Sequence, residues 1–92
     1  MKKVDVDNIE FSKNASDDFD VIKLNDKKMA QKIVDLINDI IEEPFSGLGK
    51  PEPLKYGLQG YWSRRIDGYN RLVYRISKKT LKIISVRYHY KK

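Results

Sequence analysis

The chain has 92 residues, no cysteine and a formal net charge of +6. That length suits one domain, residues 1–92, with a modest core, and the lack of cysteine excludes disulfides and thiolate metal sites. The opening MKKVDVDNIEF has no apolar signal-peptide core and no apolar run approaches a membrane span, so the sequence predicts a soluble, cytoplasmic protein with no membrane partner.

In KVDVDNIEF, apolar residues alternate at Val4 and Val6 and again at Ile9 and Phe11, with a change of parity at Asp7-Asn8. That pattern predicts a strand broken by a bulge or turn. In KNASDDFDVIKLN, the spacing of Ala15, Phe19 and Ile22 predicts a short helix. A longer amphipathic helix follows from Asp26 to Glu43, where Met29, Ile33, Ile37, Ile40 and Ile41 form a stripe flanked by Ala30, Val34 and Leu36. Asn25 or Asp26 caps its start, and Pro44 ends it by removing a donor and disfavouring helical geometry at Glu43. The two helices form a hairpin through Leu24 to Asp26.

Beyond Pro44 the glycines and prolines of FSGLGKPEPLK predict a loop. Three strands follow, joined by the turn signals DGYN and SKKT into an antiparallel meander. In GYWSRRI, Trp62 and Ile66 face the core while Tyr61, Ser63 and Arg65 turn outward, which leaves Arg64 on the core side, at a cost unless it lies at an edge. In RLVYRIS, Leu72, Tyr74 and Ile76 oppose Arg71, Val73 and Arg75; in LKIISVRYHY, Ile84, Val86 and Tyr88 oppose Ser85, Arg87 and His89. The expected architecture is α+β, two N-terminal helices packed on one face of a twisted antiparallel sheet.

Charge is divided unevenly along this plan. Residues 1–43 carry 7 Lys/Arg against 11 Asp/Glu, whereas residues 44–92 carry 12 against 2. If the helices cover the apolar face, the opposite face displays Arg65, Arg71, Arg75, Arg87 and His89, the only histidine, with Tyr61 as an aromatic surface. An antiparallel sheet can leave one face in water, but neutral polar residues serve for that, and like charges opposite one another cost stability. Such a face fits a polyanion, above all nucleic acid.

The motifs GKPEPLK, GYWSRRI, RLVY and RYHY, in this order, resemble the YoeB group of the RelE-like toxins. The resemblance implies the RelE-like, microbial ribonuclease type of fold and a ribosome-dependent messenger-RNA endonuclease of a toxin–antitoxin pair. By motif position it implies a catalytic set of Glu52, Arg71, His89 and Tyr90, with Lys55 and Arg65 in support; Lys50 is expected among the RNA-binding cations.

Metal-free RNA cleavage uses the ribose 2′-OH as nucleophile, and requires a base, an acid for the departing 5′-oxygen and cations for the phosphorane charge. Glu52 suits the base and His89 the acid, since an imidazole pKa near about 6.5 leaves a usable protonated fraction. Arg71 and Arg65 suit the non-bridging oxygens, and Tyr90 can orient the scissile group or stack a base. No cofactor or metal is expected, because the basic half has no metal-ligand spacing. Arg75, Lys78, Lys79, Lys82 and Arg87 are expected to bind RNA outside the chemistry.

Three features depart from the family pattern: Asn70 stands where relatives often carry histidine, Lys91 and Lys92 follow Tyr90, and the N-terminal stretch is a few residues longer than usual; strict alternation also turns Tyr90 away from His89. The implied partners are messenger RNA, the ribosome and a cognate antitoxin of the YefM/Phd kind with an acidic C-terminal segment; a homodimer is compatible with the resemblance. Two alternatives share the fold: a ParE-like toxin that poisons DNA gyrase by binding, and a degenerate RNA- or antitoxin-binding domain without activity.

Overall fold

Ser12 opens the helical layer in the computed structural model, which describes residues 5–87. Its hydroxyl accepts from the N–H of Ala15 at 3.1 Å and donates to the carbonyl of Ile84 at 3.2 Å, so one side chain both caps helix α1 (Lys13–Asn25) and ties it to the sheet. Asp26 then serves two helices: its N–H closes α1 on the carbonyl of Ile22, and its carboxylate accepts from Met29 N–H at 3.0 Å to start α2 (Lys27–Glu42). The helical hairpin therefore turns on a single residue. Glu43 caps the end of α2 through Asp39 O, and Pro44 follows. Ile33, Leu36, Ile37 and Ile40 are the residues α2 buries, so Leu36 belongs to the centre of the stripe and Met29 and Ile41 to its edges.

The strands are β1 (Asn8–Phe11), β2 (Glu52–Pro53), β3 (Trp62–Arg65), β4 (Arg71–Ser77) and β5 (Thr80–Ser85), arranged β1-β5-β4-β3-β2. From β2 to β5 every pairing is antiparallel, as expected, but β1 runs parallel to β5, so the sheet is mixed. The chain leaves β1 through the helices and returns to its side only after the meander. Of the opening strand expected from the alternation, the ladder among the described residues begins at Asn8, at the predicted change of parity; Asp7 and Asn8 both donate to Lys79 O.

One register feature corrects the sequence reading. Val73 pairs with Ser85 and Tyr74 with Ile83, so Ile84 is the extra residue of a β-bulge. Strict alternation put Ile84 on the core face with Val86; the bulge reverses parity between them, so that Leu81, Ile83 and Val86 are fully buried while Ile84 is half-buried. With Leu72 and Tyr74 of β4, these residues meet the α2 stripe to form the core.

Candidate active site

The face of the sheet away from the helices is assembled by register. Glu52 lies opposite Ser63, Ser63 opposite Val73 and Val73 opposite Ser85. Ser63 points outward as expected, yet it is 2% exposed and Val73 is 0% exposed, so the middle of this face is dry. Charges surround that floor. Arg65 sits directly across from Arg71, and the Arg71 guanidinium comes within 3.8 Å of a Glu52 carboxylate oxygen. Two arginines facing each other repel, and Glu52 at the sheet edge offsets part of that repulsion. At 3.8 Å the pair is an ion pair without a hydrogen bond.

On the other side of the floor, Arg75 lies 5.3 Å from the centroid of the Tyr61 ring and opposite Lys82. This cation–π contact ties the arginine to the sheet face. Lys78 and Lys79 occupy the two central positions of the β4–β5 hairpin, both with positive φ (51° and 63°), as a type I′ turn requires. The result is an exposed cationic tip. The β3–β4 turn is held by Asp67, whose carboxylate accepts from Tyr69 and Asn70 N–H; desolvation opposes ionisation there, but these bonds prevail and keep the carboxyl below its ordinary range.

The structure thus brings Glu52, Arg65 and Arg71 together, places Arg75 and Lys82 across the floor from them, and leaves Lys50 and Lys55 exposed on the segments flanking β2. Arg87 is turned differently: its guanidinium binds Asp18 of α1 at 3.2 Å. His89 and Tyr90 lie outside the described residues. Among the described residues, no three His, Cys, Asp or Glu side chains come together as metal ligands, and no helix is long and apolar enough to cross a membrane.

The expected cost of Arg64 on the core side is offset by a whole loop. Arg64 is 0% exposed, and its guanidinium makes five hydrogen bonds: Nη1 to Asp39 Oδ2 (2.6 Å) and Leu48 O (3.0 Å), Nη2 to Glu43 O (2.6 Å) and Ser46 O (2.9 Å), and Nε to the Tyr74 hydroxyl (3.2 Å). The Tyr74 hydroxyl in turn donates a hydrogen bond to Pro44 O at 2.6 Å. Burial pushes the Tyr74 phenol above its ordinary value, with Arg64 opposing, so it remains the neutral donor that Pro44 needs. The hydrogen bond from Arg64 outweighs partial desolvation at Asp39 and, with Leu48 N–H and the guanidinium's charge, holds that carboxyl below its ordinary 3.8. The sequence signal for this hub was the arginine at a core parity.

Fold and face together define a RelE-like α+β domain. A model of the YoeB-like toxins of bacterial type II toxin–antitoxin systems matches residues 11–90. Toxin YoeB of Synechocystis sp. is 49% identical over 84 residues, covering 91% of this chain and 98% of that protein. The YoeB/ParE toxin from Agrobacterium tumefaciens superposes with a TM-score of 0.89 at 43% identity, covering 91% of this chain and 100% of its own. The Staphylococcus aureus YoeB, solved as a dimer and as a heterotetrameric complex with YefM, gives a TM-score of 0.85 at 46% identity over 90% of this chain and 97% of its own. The chain belongs to the YoeB-like toxins of type II toxin–antitoxin systems.

Proposed function

We propose that this toxin is a ribosome-dependent messenger-RNA endonuclease that cleaves without a metal and acts in the cytoplasm. The observation that carries the reading is the Glu52–Arg71 ion pair with Arg65 opposite Arg71 on the sheet face away from the helices. An incoming phosphate draws Arg71 and Arg65 to its non-bridging oxygens, and Glu52, released from Arg71, takes the proton of the ribose 2′-OH. The oxygen attacks the adjacent phosphorus, the P–O5′ bond breaks, and His89 delivers a proton to the leaving oxygen, in the role its motif position implies. Tyr90 is assigned to orienting the scissile nucleotide. The products are a 2′,3′-cyclic phosphate and a 5′-hydroxyl.

The ribosome supplies the positioned messenger RNA, and the cations at Lys50, Lys55, Arg75, Lys78, Lys79 and Lys82 supply docking charge. The same face fits an antitoxin of the YefM kind through an acidic segment that orders on binding, as the existence of the S. aureus YoeB–YefM complex supports; pairing of two toxin copies has its parallel in the S. aureus dimer. The test is to map transcript 5′ ends after brief expression. New ends within translated regions, lost with Glu52→Ala or His89→Ala and suppressed by co-expressed antitoxin, are expected. Growth arrest without new ends, accompanied by gyrase inhibition, would replace this reading with the binding-toxin alternative.

A further inference from the structure

The loop that delivers Glu52 is only partly anchored by apolar contact: Phe45 packs on the Trp62 ring with 4.9 Å between centroids, yet Phe45 and Leu48 are 46% and 51% exposed. Its carbonyls supply the rest of the anchorage. Glu43 O, Ser46 O and Leu48 O accept from Arg64, Pro44 O from Tyr74, and Gly49 O from the backbone N–H of Arg65 at 2.7 Å. Asp39 closes the arrangement from α2 by accepting from Arg64 and from Leu48 N–H. Gly49 has φ +78°, and a Cβ there would approach the Arg65 carbonyl oxygen at 2.9 Å and the Arg64 Cβ at 3.1 Å, so the loop lies directly against β3. Only Lys50 and Pro51 separate this last anchored carbonyl from Glu52. Arg64 is also the neighbour of Arg65 in β3, the strand whose Ser63 pairs with Glu52.

We infer that Arg64 is a positioning residue for the proposed cleavage: its five-bond hub, completed by Asp39, sets where the Glu52 carboxylate stands relative to Arg71 and Arg65. The inference rests on the ribonuclease reading above. Arg64 itself is buried on the helix side of the sheet and touches no substrate. Its planar fork with five N–H donors suits the task, whereas a lysine ammonium, with three donors on a flexible stem, cannot hold the same acceptors at once. A catalytic base displaced by about 1 Å loses on the order of 10²-fold in rate.

The experiment is a double-mutant cycle measured by single-turnover cleavage of ribosome-bound messenger RNA at saturating ribosome. Arg64→Lys in the otherwise natural chain should slow cleavage on the order of 10²-fold, with ribosome affinity changed by less than about threefold because net charge is kept. In a Glu52→Gln background the same substitution should slow the residual reaction by less than about threefold, because the group it positions has gone. Asp39→Asn, which keeps an acceptor oxygen, should give a smaller loss with the same dependence on Glu52, and carries the test if Arg64→Lys does not fold by circular dichroism. Wild-type cleavage by either folded variant, or an equal loss with and without Glu52, would overturn the positioning role. If Glu52→Gln alone cuts at the natural rate, the ribonuclease reading of the site fails first, and this outcome is distinct from failure at Arg64.

Discussion

Asp39→Ala should be among the most costly single substitutions outside the apolar core. It removes the 2.6 Å charge-assisted bond to Arg64 and the 2.9 Å bond from Leu48 N–H, and leaves a fully buried guanidinium with only neutral acceptors. Breaking a fully buried ion pair costs about 3–5 kcal/mol. The Asp39 side chain is 28% exposed, so water partly compensates the change, and four other acceptors still hold Arg64; about 2–3 kcal/mol is the expected loss. For a domain of this size that lowers Tm by roughly 8–24 °C. Calorimetry and urea titration of the purified protein would measure both. The pH dependence supplies an internal check. Asp39 has a depressed folded pKa, so its contribution is full above the ordinary value of 3.8 and is lost as pH falls through the folded value. The gap between natural chain and Asp39→Ala should therefore be constant near neutrality and shrink in acid below about pH 4. A loss below about 0.5 kcal/mol, the scale of an ordinary surface substitution, or a gap that persists unchanged at low pH, would refute the hub as a stabilising ion pair.

Three further variants probe the helix cap and the β4–β5 hairpin. Ser12→Ala should cost about 1–2 kcal/mol by urea titration, since the hydroxyl both caps α1 and binds Ile84 O at the bulge. Lys79→Gly should raise stability by about 0.5 kcal/mol, because φ of +63° strains a lysine and not a glycine, with the glycine's extra unfolded-state freedom offsetting part of the gain. Replacing Lys78, Lys79 and Lys82 together with Gln should weaken ribosome association and flatten its salt dependence by up to about 0.9 per lost phosphate contact, read by co-sedimentation over a salt series, while cleavage of bound message continues.

Much of this organisation is legible from periodicity because local signals and packing agree. The α2 stripe, its Asp26 cap and its stop at Pro44 are encoded within one helix length, and the meander follows from two short turns. Two features lie beyond alternation. The bulge at Ile84 inserts one residue, so that equally apolar neighbours exchange places, and nothing in IIS distinguishes Ile83 from Ile84 as the buried one. The parallel pairing of β1 with β5 depends on where the chain returns after about seventy residues, which no local pattern records. Arg64 is the instructive case. Parity placed it correctly in the core, and the apparent cost was resolved by carbonyls of a loop whose glycines had announced only that it was irregular. At the site, motif order grouped Glu52, Arg65 and Arg71, which the register also brings together, whereas charge alone grouped Arg87 with them and the fold pairs it with Asp18.

The central claim, RNA cleavage by 2′-OH attack at the Glu52–Arg71 centre, is tested most directly by the chemistry of the cut ends. Purified toxin would be added to ribosomes carrying a defined message, and the downstream fragment treated with polynucleotide kinase with and without prior dephosphorylation. A 5′-hydroxyl that labels directly is expected, formed on the order of 10²-fold more slowly by Glu52→Gln and by Arg71→Gln at saturating ribosome. A 5′-phosphate, or unchanged rates in both folded variants, would contradict it.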